Sequence, residues 1–393
     1  MRFDFISIFP QYFNALELSL MGKAVQNGQL SINVHDLRDW TEDKHRTVDD
    51  APYGGGAGMV MRADIWGKAL DSVIAGSGRR VLAVPTPSGI PLTQAAAREL
   101  VSADQIIFAC GRYEGIDYRV VEHYRNAGEI EVFEYSIGDY VLNGGEVAAL
   151  VLVEAVARLL DGFMSNPESL VEESFENNLL EYPAFTRPLQ WRELEVPEVL
   201  RTGDHGRIEA WRRDLSLMRT ATRRPDMVRE LDPHQLSLSD LQKLAYYGWV
   251  WAGSDQPVLP GETPDFAWTE LAVESSAVDL QMVAKDGRVV AEGVWVEAAE
   301  NPQLVPKRML ESHPLVVKLW VDSKFMGRGL EGALLMHLLE ASALKERSLV
   351  IAVDAADKEL TKLVKSLGFK KQGRKFIEGS AGKENRAEVF FQR

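Results

Sequence analysis

Apolar and polar residues alternate over residues 3–9 as in a strand, and the pattern stops at Pro10. Residues 11–26 then place their apolar side chains at helical spacing, and 31–37 return to a strand pattern. Residues 79–85 and 105–110 are short, nearly unbroken apolar runs, the signature of strands covered on both faces of a parallel sheet, with a helix predicted over 92–100 between them. A more apolar helix is predicted over 146–160. Strands alternating with helices predict an α/β fold. Residues 174–250 read as a small helical domain, entered through an irregular, acidic linker at 164–173 that carries Pro167. A Gly/Pro/Ser-rich stretch without period, 251–265, reads as the main boundary. Behind it, strands near 278–284, 288–297 and 315–321 and a helix from about 329 predict an α+β domain over 266–393.

Composition adds limits. A chain of 393 residues is expected to form two or three domains, and 46% hydrophobic with 26% charged residues are globular values. The longest apolar stretch, 147–160, is broken by Glu154 and Arg158 and is too short to span a bilayer; the first residues lack the pattern of a secretory leader. One cysteine, Cys110, excludes an internal disulfide and fits a cytoplasmic setting; following IIFA, it reads as a small buried apolar residue. The net charge of −14 speaks at first sight against a polyanionic partner. Residues 201–229 reverse that impression locally, with eight arginines against four acids. A phosphate backbone would need such a footprint.

The candidate chemistry lies in loops. TEDKHRTVDDAPYGGGAGMVMR is a long polar loop with four glycines among residues 54–58, more in keeping with a lid or binding loop than with filler. The two apolar runs end in PTPSG and GRYEGID, and YSIGDYVLNGG leads into the helix at 146. Loops after parallel strands gather at one end of the sheet, so these three are expected to line one pocket. Neither GxGxxG nor a P-loop pattern is present, and His45 has no partner at ligand spacing, so no metal site is expected.

HRTVDDAPYGGGAGMVM, GRYEGID, SIGDYVLNGGE, VARLL, ESFE, LLEYPAFTRP and WRRDLSLMRTATRRPD occur in the order found in bacterial tRNA (guanine-N1)-methyltransferases. Residues 1–250 resemble that family, TrmD. The resemblance implies a SPOUT fold, a parallel-sheet domain closed by a trefoil knot at residues 1–163. It also implies a homodimer whose active sites are shared between subunits, and methylation of guanine N1 at tRNA position 37 by S-adenosylmethionine. The cofactor positions it implies are Pro85, Thr86, Pro87, Ser88, Gly89, Gly111, Tyr113, Ile137, Gly138, Tyr140, Val141, Leu142, Gly144 and Gly145. Such a ligand has no phosphates and asks for close backbone approach and a few directed hydrogen bonds, which glycine-rich loops allow.

Guanine N1 carries a proton, so its methylation calls for a general base and for a cation near O6. The resemblance gives Arg158 as the cation and an aspartate before Ser-Phe as the base. Here that position is Glu173, one methylene longer, with Glu172 as the alternative. For the substrate it implies Asp50, Tyr53, Gly55, Arg112 and Glu114, with His45 and Arg46 facing phosphates. Arg212 and Arg219, beside Arg213, Arg223 and Arg224, would grip the anticodon stem.

The tail from about 266 resembles a GNAT-type acetyltransferase domain, through LWVDSKFMGRGLEGALLMHLLE and AVDAADKELTKLVKSLGFKKQG. Working members read Arg/Gln-x-x-Gly-x-Gly/Ala in the first segment, where this chain has Met326, Gly329 and Glu331. A carboxylate at that helix start repels a pyrophosphate. Three readings stay open: a domain that binds acetyl-CoA, a bifunctional methyltransferase and acetyltransferase, and a degenerate domain kept for interaction or RNA contact.

Overall fold

The computed structural model describes residues 1–164, 173–251, 257–258, 266–272, 278–284, 289–299, 305–306, 309, 315–322, 329–344, 348–377 and 386–392. Glu172, Met326, Gly327 and most of both expected linkers lie outside these residues. The chain divides into two units, Met1–Val171 and Glu172–Arg393, so the boundary expected at 251–265 falls inside the second.

In the first unit the strands are β1 (Arg2–Ser7), β2 (Ser31–Asp36), β3 (Asp49–Asp50), β4 (Val60–Met61), β5 (Arg80–Pro91), β6 (Gln105–Ala109) and β7 (Glu131–Ser136). Its helices are α1 (Ser19–Gln26), α2 (Ala63–Val73), α3 (Gln94–Leu100), α4 (Tyr118–Ala127) and α5 (Glu146–Ala157). Five strands form a wholly parallel sheet in the order β2-β1-β6-β5-β7, and β3 and β4 make a small hairpin. Alternate residues of the unbroken apolar strands explain why helices cover both faces. Phe3, Phe5, Ala83, Ile106 and Phe108 join α3 and α5 in one core, while Ile6, Leu82, Val84, Ile107 and Ala109 join α2 and α4 in the other. Local signals set the helix ends: Thr93 caps α3, Asp117 caps α4, and α4 stops at left-handed Gly128.

At the amino ends of the strands, the buried Asp4 carboxylate receives hydrogen bonds from Arg2 Nε (2.7 Å) and Gln105 Nε2 (2.7 Å) and lies 3.0 Å from His35 Nε2. Burial pushes this carboxyl's pKa up, but its partners His35, Arg2 and Gln105 outweigh burial and hold it below the usual carboxylate range.

Three expected elements differ. The helix expected at 11–26 is a 3-10 segment, Pro10–Glu17, followed by α1, with Leu18 extended between them. The strand expected at 79–85 continues to Pro91, because after a shift between Pro85 and Ile90 it pairs again with β7. The helix expected at 146–160 ends at Ala157, with Arg158 as its C-cap.

The second unit carries a short 3-10 segment, Glu176–Asn178, and then a hairpin, β8 (Gln190–Trp191) and β9 (Leu194–Glu195). Its helices α6 (His205–Arg223), α7 (Pro225–Arg229) and α8 (Leu238–Tyr246) follow, and Leu179, Leu217, Val228, Leu231, Leu244 and Trp249 form their core. Asp204 caps α6, and Ser237 with Asp240 forms a capping box on α8. A two-stranded pair, β10 (Val250–Trp251) and β11 (Pro257–Val258), leads on.

Seven strands follow: β12 (Phe266–Ala272), β13 (Val278–Ala284), β14 (Val289–Glu297), β15 (Leu315–Val321), β16 (Leu349–Asp354), β17 (Lys370–Ile377) and β18 (Arg386–Gln392). They pair in the order β12-β13-β14-β15-β16-β18-β17, antiparallel except for a short parallel contact between β15 and β16. Residues of α9 (Leu330–Leu344) and α10 (Lys358–Ser366) pack with Trp295, Leu315, Val317 and Ile351 in one core.

Candidate active site

β5, β6 and β7 lie side by side, and the irregular middle of β5 together with the loops after β6 and β7 walls a cavity of about 350 Å³. Its lining takes Pro85, Thr86, Pro87 and Ser88 from the stretch of β5 where its pairing with β7 is interrupted, and Gly111, Tyr113 and Glu114 from the loop after β6. The loop after β7 adds Ile137, Gly138, Tyr140, Val141, Leu142, Gly144 and Gly145. Of the positions named for a cofactor, Gly89 alone is missing. It lies within β5, where a Cβ would stand 2.5 Å from the Tyr135 backbone, so its glycine serves the β5–β7 pairing. Sequence reasoning passed over Ile116, Tyr118, Glu134, Asn143 and Ala148, which also line the cavity; no pattern among them sets them apart from ordinary loop and helix residues.

Among the described residues the lining contains no lysine, arginine or histidine, and it carries two carboxylates, Glu114 and Glu134. Arg125 Nη2 neutralises Glu134 at 2.6 Å. Such a site disfavours phosphate and suits a ligand with a positive centre and apolar parts. The Tyr135 hydroxyl, fully buried, has no hydrogen-bond partner among the described residues. Burial, then the nearby Cys110, push its pKa up. Burial followed by the Glu146 carboxylate push Cys110 up as well, so the thiol stays protonated, in keeping with a packing role.

Two contacts fix the loops. Arg112, expected at the substrate, pairs with Glu146 at the head of α5: its Nε donates to Oε1 at 3.1 Å and lies 3.0 Å from Oε2. Ser7 Oγ donates to the same Oε1 at 2.6 Å, and the guanidinium lies over the Phe9 and Tyr12 rings, 4.6 and 5.2 Å from their centroids. Gly144 passes directly over this pair; a Cβ there would come within 2.3 Å of Arg112 Nε and 2.6 Å of Glu146 Oε2. A charged residue at the head of an apolar helix was the available sign that Glu146 is buried. The second contact zips the long glycine loop to GRYEGID, through Glu114 N to Met59 O (3.0 Å), Met61 N to Gly115 O (2.9 Å) and Asp117 N to Met61 O (3.0 Å). At its end, Gly58 has φ +91, and a Cβ there would stand 2.4 Å from Glu114 Oε1.

The remaining expected residues lie outside the cavity. Asp50 and Gly55 are exposed on the glycine loop and its hairpin, and Tyr53 there is 99% exposed. Arg158 is half-buried at the C-cap of α5 and does not line the cavity. Glu173, Arg212 and Arg219 belong to the second unit, where Arg212 lies over the Tyr182 ring and Arg219 Nη1 donates to Glu181 O at 3.1 Å. Among the described residues no cluster of His, Cys, Asp or Glu could hold a metal, and no helix is long and apolar enough to cross a membrane.

Residues 1–230 match the model of the family described as tRNA (guanine-1)-methyltransferase TrmD. The chain belongs to this family. A Cutibacterium acnes protein is 59% identical over 232 residues, 58% of this chain and 96% of its own length. Proteins from Paenarthrobacter aurescens and Kineococcus radiotolerans are 55% and 54% identical over 251 and 263 residues, covering 63% and 65% of this chain and 94% of each relative. All three carry the name tRNA (guanine-N(1)-)-methyltransferase. They are almost wholly covered, so the last third or so of this chain has no counterpart in them.

Proposed function

We propose that the chain transfers a methyl group from S-adenosylmethionine to N1 of the guanine at tRNA position 37. The carrying observation is the cavity at the middle of β5 and the ends of β6 and β7, lined by glycine loops and carboxylates and, among the described residues, free of cationic side chains, in a chain of the TrmD family. S-adenosylmethionine suits it by charge, and when bound it supplies a methyl group already activated on a sulfonium. The three walls hold the cofactor by backbone contact, and Glu114 accepts hydrogen bonds from the guanine edge, which must leave its stack to arrive there. Glu173 takes the N1 proton. Arg158 stands by O6, where negative charge grows as that proton leaves; one such contact is worth about 100- to 1000-fold in rate.

Neither Glu173 nor Arg158 lines the cavity, and a homodimer with shared active sites is therefore part of the proposal. Exposed Val147 and Val151 on α5 support it as an apolar face for the second copy. Asp50, Tyr53 and Gly55 meet the substrate from the glycine loop, and Arg212 and Arg219 grip the stem. Arg112 is given a supporting place beneath the loop. A trefoil knot around these loops and a cytoplasmic setting complete the reading.

The order strand, helix, strand, helix from β15 to α10 supports an acetyltransferase-like ancestry for the tail. Glu331 in the first turn of α9 and the packing of α8 against Gly329 speak against an anionic cofactor there, so the proposal includes no acetyl-CoA. A labelled methyl-transfer assay on tRNA transcripts tests the main reading. Incorporation is expected with G at position 37 and not with A; a silent enzyme on both refutes it.

A further inference from the structure

We infer that the appended domain carries a second contact for the tRNA backbone: a lysine face on α10, continued at the start of β17 and fixed to the arginine-bearing helical region through α8. The inference rests on the tRNA reading above.

Lys358, Lys362 and Lys365 recur at i, i+4 and i+7 on α10, so at about 100° per residue they fall within one narrow stripe. The residues that bury the helix, Leu360, Leu363, Val364 and Leu367, lie on the opposite side. Lys370 and Lys371 follow at the start of β17. All five lysines are exposed, and none has a carboxylate partner among the described residues, whereas Lys68 is paired with Glu42 and Lys243 with Asp214. The nearest acids along the chain are otherwise engaged or off the stripe. Asp354 and Asp357 accept hydrogen bonds from Ala356 N and Leu360 N, and Glu359 is turned about 100° from Lys358. In a chain of net charge −14, three unpaired ammonium groups in one stripe, with two more just past the end of the helix, suit a polyanion.

This surface does not hang on a free linker. The first turns of α9 press on α8: a Cβ at Gly329 would lie 2.6 Å from Gln242 N, and one at Gly332 2.4 Å from Gln242 Cγ. Ala245 packs with Val290, Ala291, Leu330, Ala333 and Leu334. Tyr246 stacks on His337 at 4.2 Å and hydrogen-bonds Glu340. On its other side α8 is tied to α6, by Asp240 to Arg213 (3.1 Å) and by Lys243 to Asp214 (2.8 Å). The helix bearing Arg212 and Arg219 and the domain bearing the lysines thus share one support. A backbone held by the first is met by a charge array at a set position, without the entropy loss of docking a loose domain.

The test is tRNA binding by the full chain across a salt series, for wild type and for a variant carrying Lys358→Gln, Lys362→Gln, Lys365→Gln, Lys370→Gln and Lys371→Gln. Each phosphate contact contributes roughly 0.9 to the slope of log affinity against log salt. The variant is expected to bind about tenfold more weakly near 100 mM salt, with a slope shallower by about two or more, and to keep kcat at saturating tRNA within about twofold. Unchanged affinity and slope overturn the inference. Weaker binding with an unchanged slope overturns it too, since that reports altered folding rather than lost phosphate contacts. If wild type neither binds nor methylates tRNA, the proposed function has failed instead.

Discussion

Replacing Glu146 by Gln tests whether the buried pair under the NGG loop holds the cavity together. Gln keeps the side-chain shape and can still accept from Ser7 Oγ, so packing is little changed. It leaves the Arg112 guanidinium, whose side chain is 13% exposed, without its counter-charge, while position 146 is itself 1% exposed. Removing one partner of a buried ion pair costs about 3–5 kcal/mol. The Phe9 and Tyr12 rings return about 1 kcal/mol of that through their faces, which leaves a net loss of about 2–4 kcal/mol. At about 2–4 °C per kcal/mol for a unit of this size, Tm should fall by about 4–16 °C. Thermal unfolding measures the loss, and calorimetry with S-adenosylmethionine should show weaker binding because Gly144 lies directly on the pair. Arg112→Met combined with Glu146→Gln should recover part of the stability, as no charge is then stranded. A single variant less than about 1 kcal/mol below wild type, or a double variant that is merely additive, would sink the reasoning.

Gly58→Ala and Gly128→Ala form a matched pair. Both sites have positive φ and cost about 1–2 kcal/mol of strain, but a Cβ at 128 meets open space while one at 58 meets Glu114. Only Gly58→Ala should reduce kcat/KM for tRNA beyond that, by about tenfold or more, and equal effects in steady-state kinetics would refute the coupling. Asp4, held below the usual carboxylate range, contributes stability that is complete above about pH 4 and is lost as pH falls through its lower folded value. Asp4→Asn should therefore flatten the acid limb of a stability-against-pH curve, and a variant as acid-labile as wild type would contradict this. Glu173→Gln should lower single-turnover methyl transfer by about 100-fold or more, and an undiminished rate would remove Glu173 from the base position.

The parallel sheet was readable because its strands are apolar on both faces, and the cavity followed because loops after such strands meet at one end. The division at Leu18 was not readable, since apolar spacing runs through it and the chain turns there in answer to packing: a Cβ at Gly22 would lie 2.0 Å from Glu17 O. The continuation of β5 was hidden by Pro85 and Pro87, which mark a strand end locally, while the pairing that resumes at Ile90 comes from β7, over forty residues away. The place of Arg112 in GRYEGID assigns it to the substrate, and its contact with Glu146 could not be read there. Its partner Glu146 lies 34 residues on, and no local pattern links them. In the tail the element order was legible from periodicity, whereas the seat of α9 on α8 joins segments some ninety residues apart.

The sheet order also governs how the chain is made. β1 sits between β2 and β6, and its register on β6 joins Arg2 to Gln105. At synthesis rates of about 5–20 residues per second, β1 and β2 wait roughly 4–14 s for β6 to emerge. During that interval one edge of FDFISIF is bare, the kind of segment that pairs with other nascent chains. Asp4 sits near its start. The carboxylate that ends up enclosed by Arg2, His35 and Gln105 is, while the strand still waits, a charge that discourages the wrong neighbour.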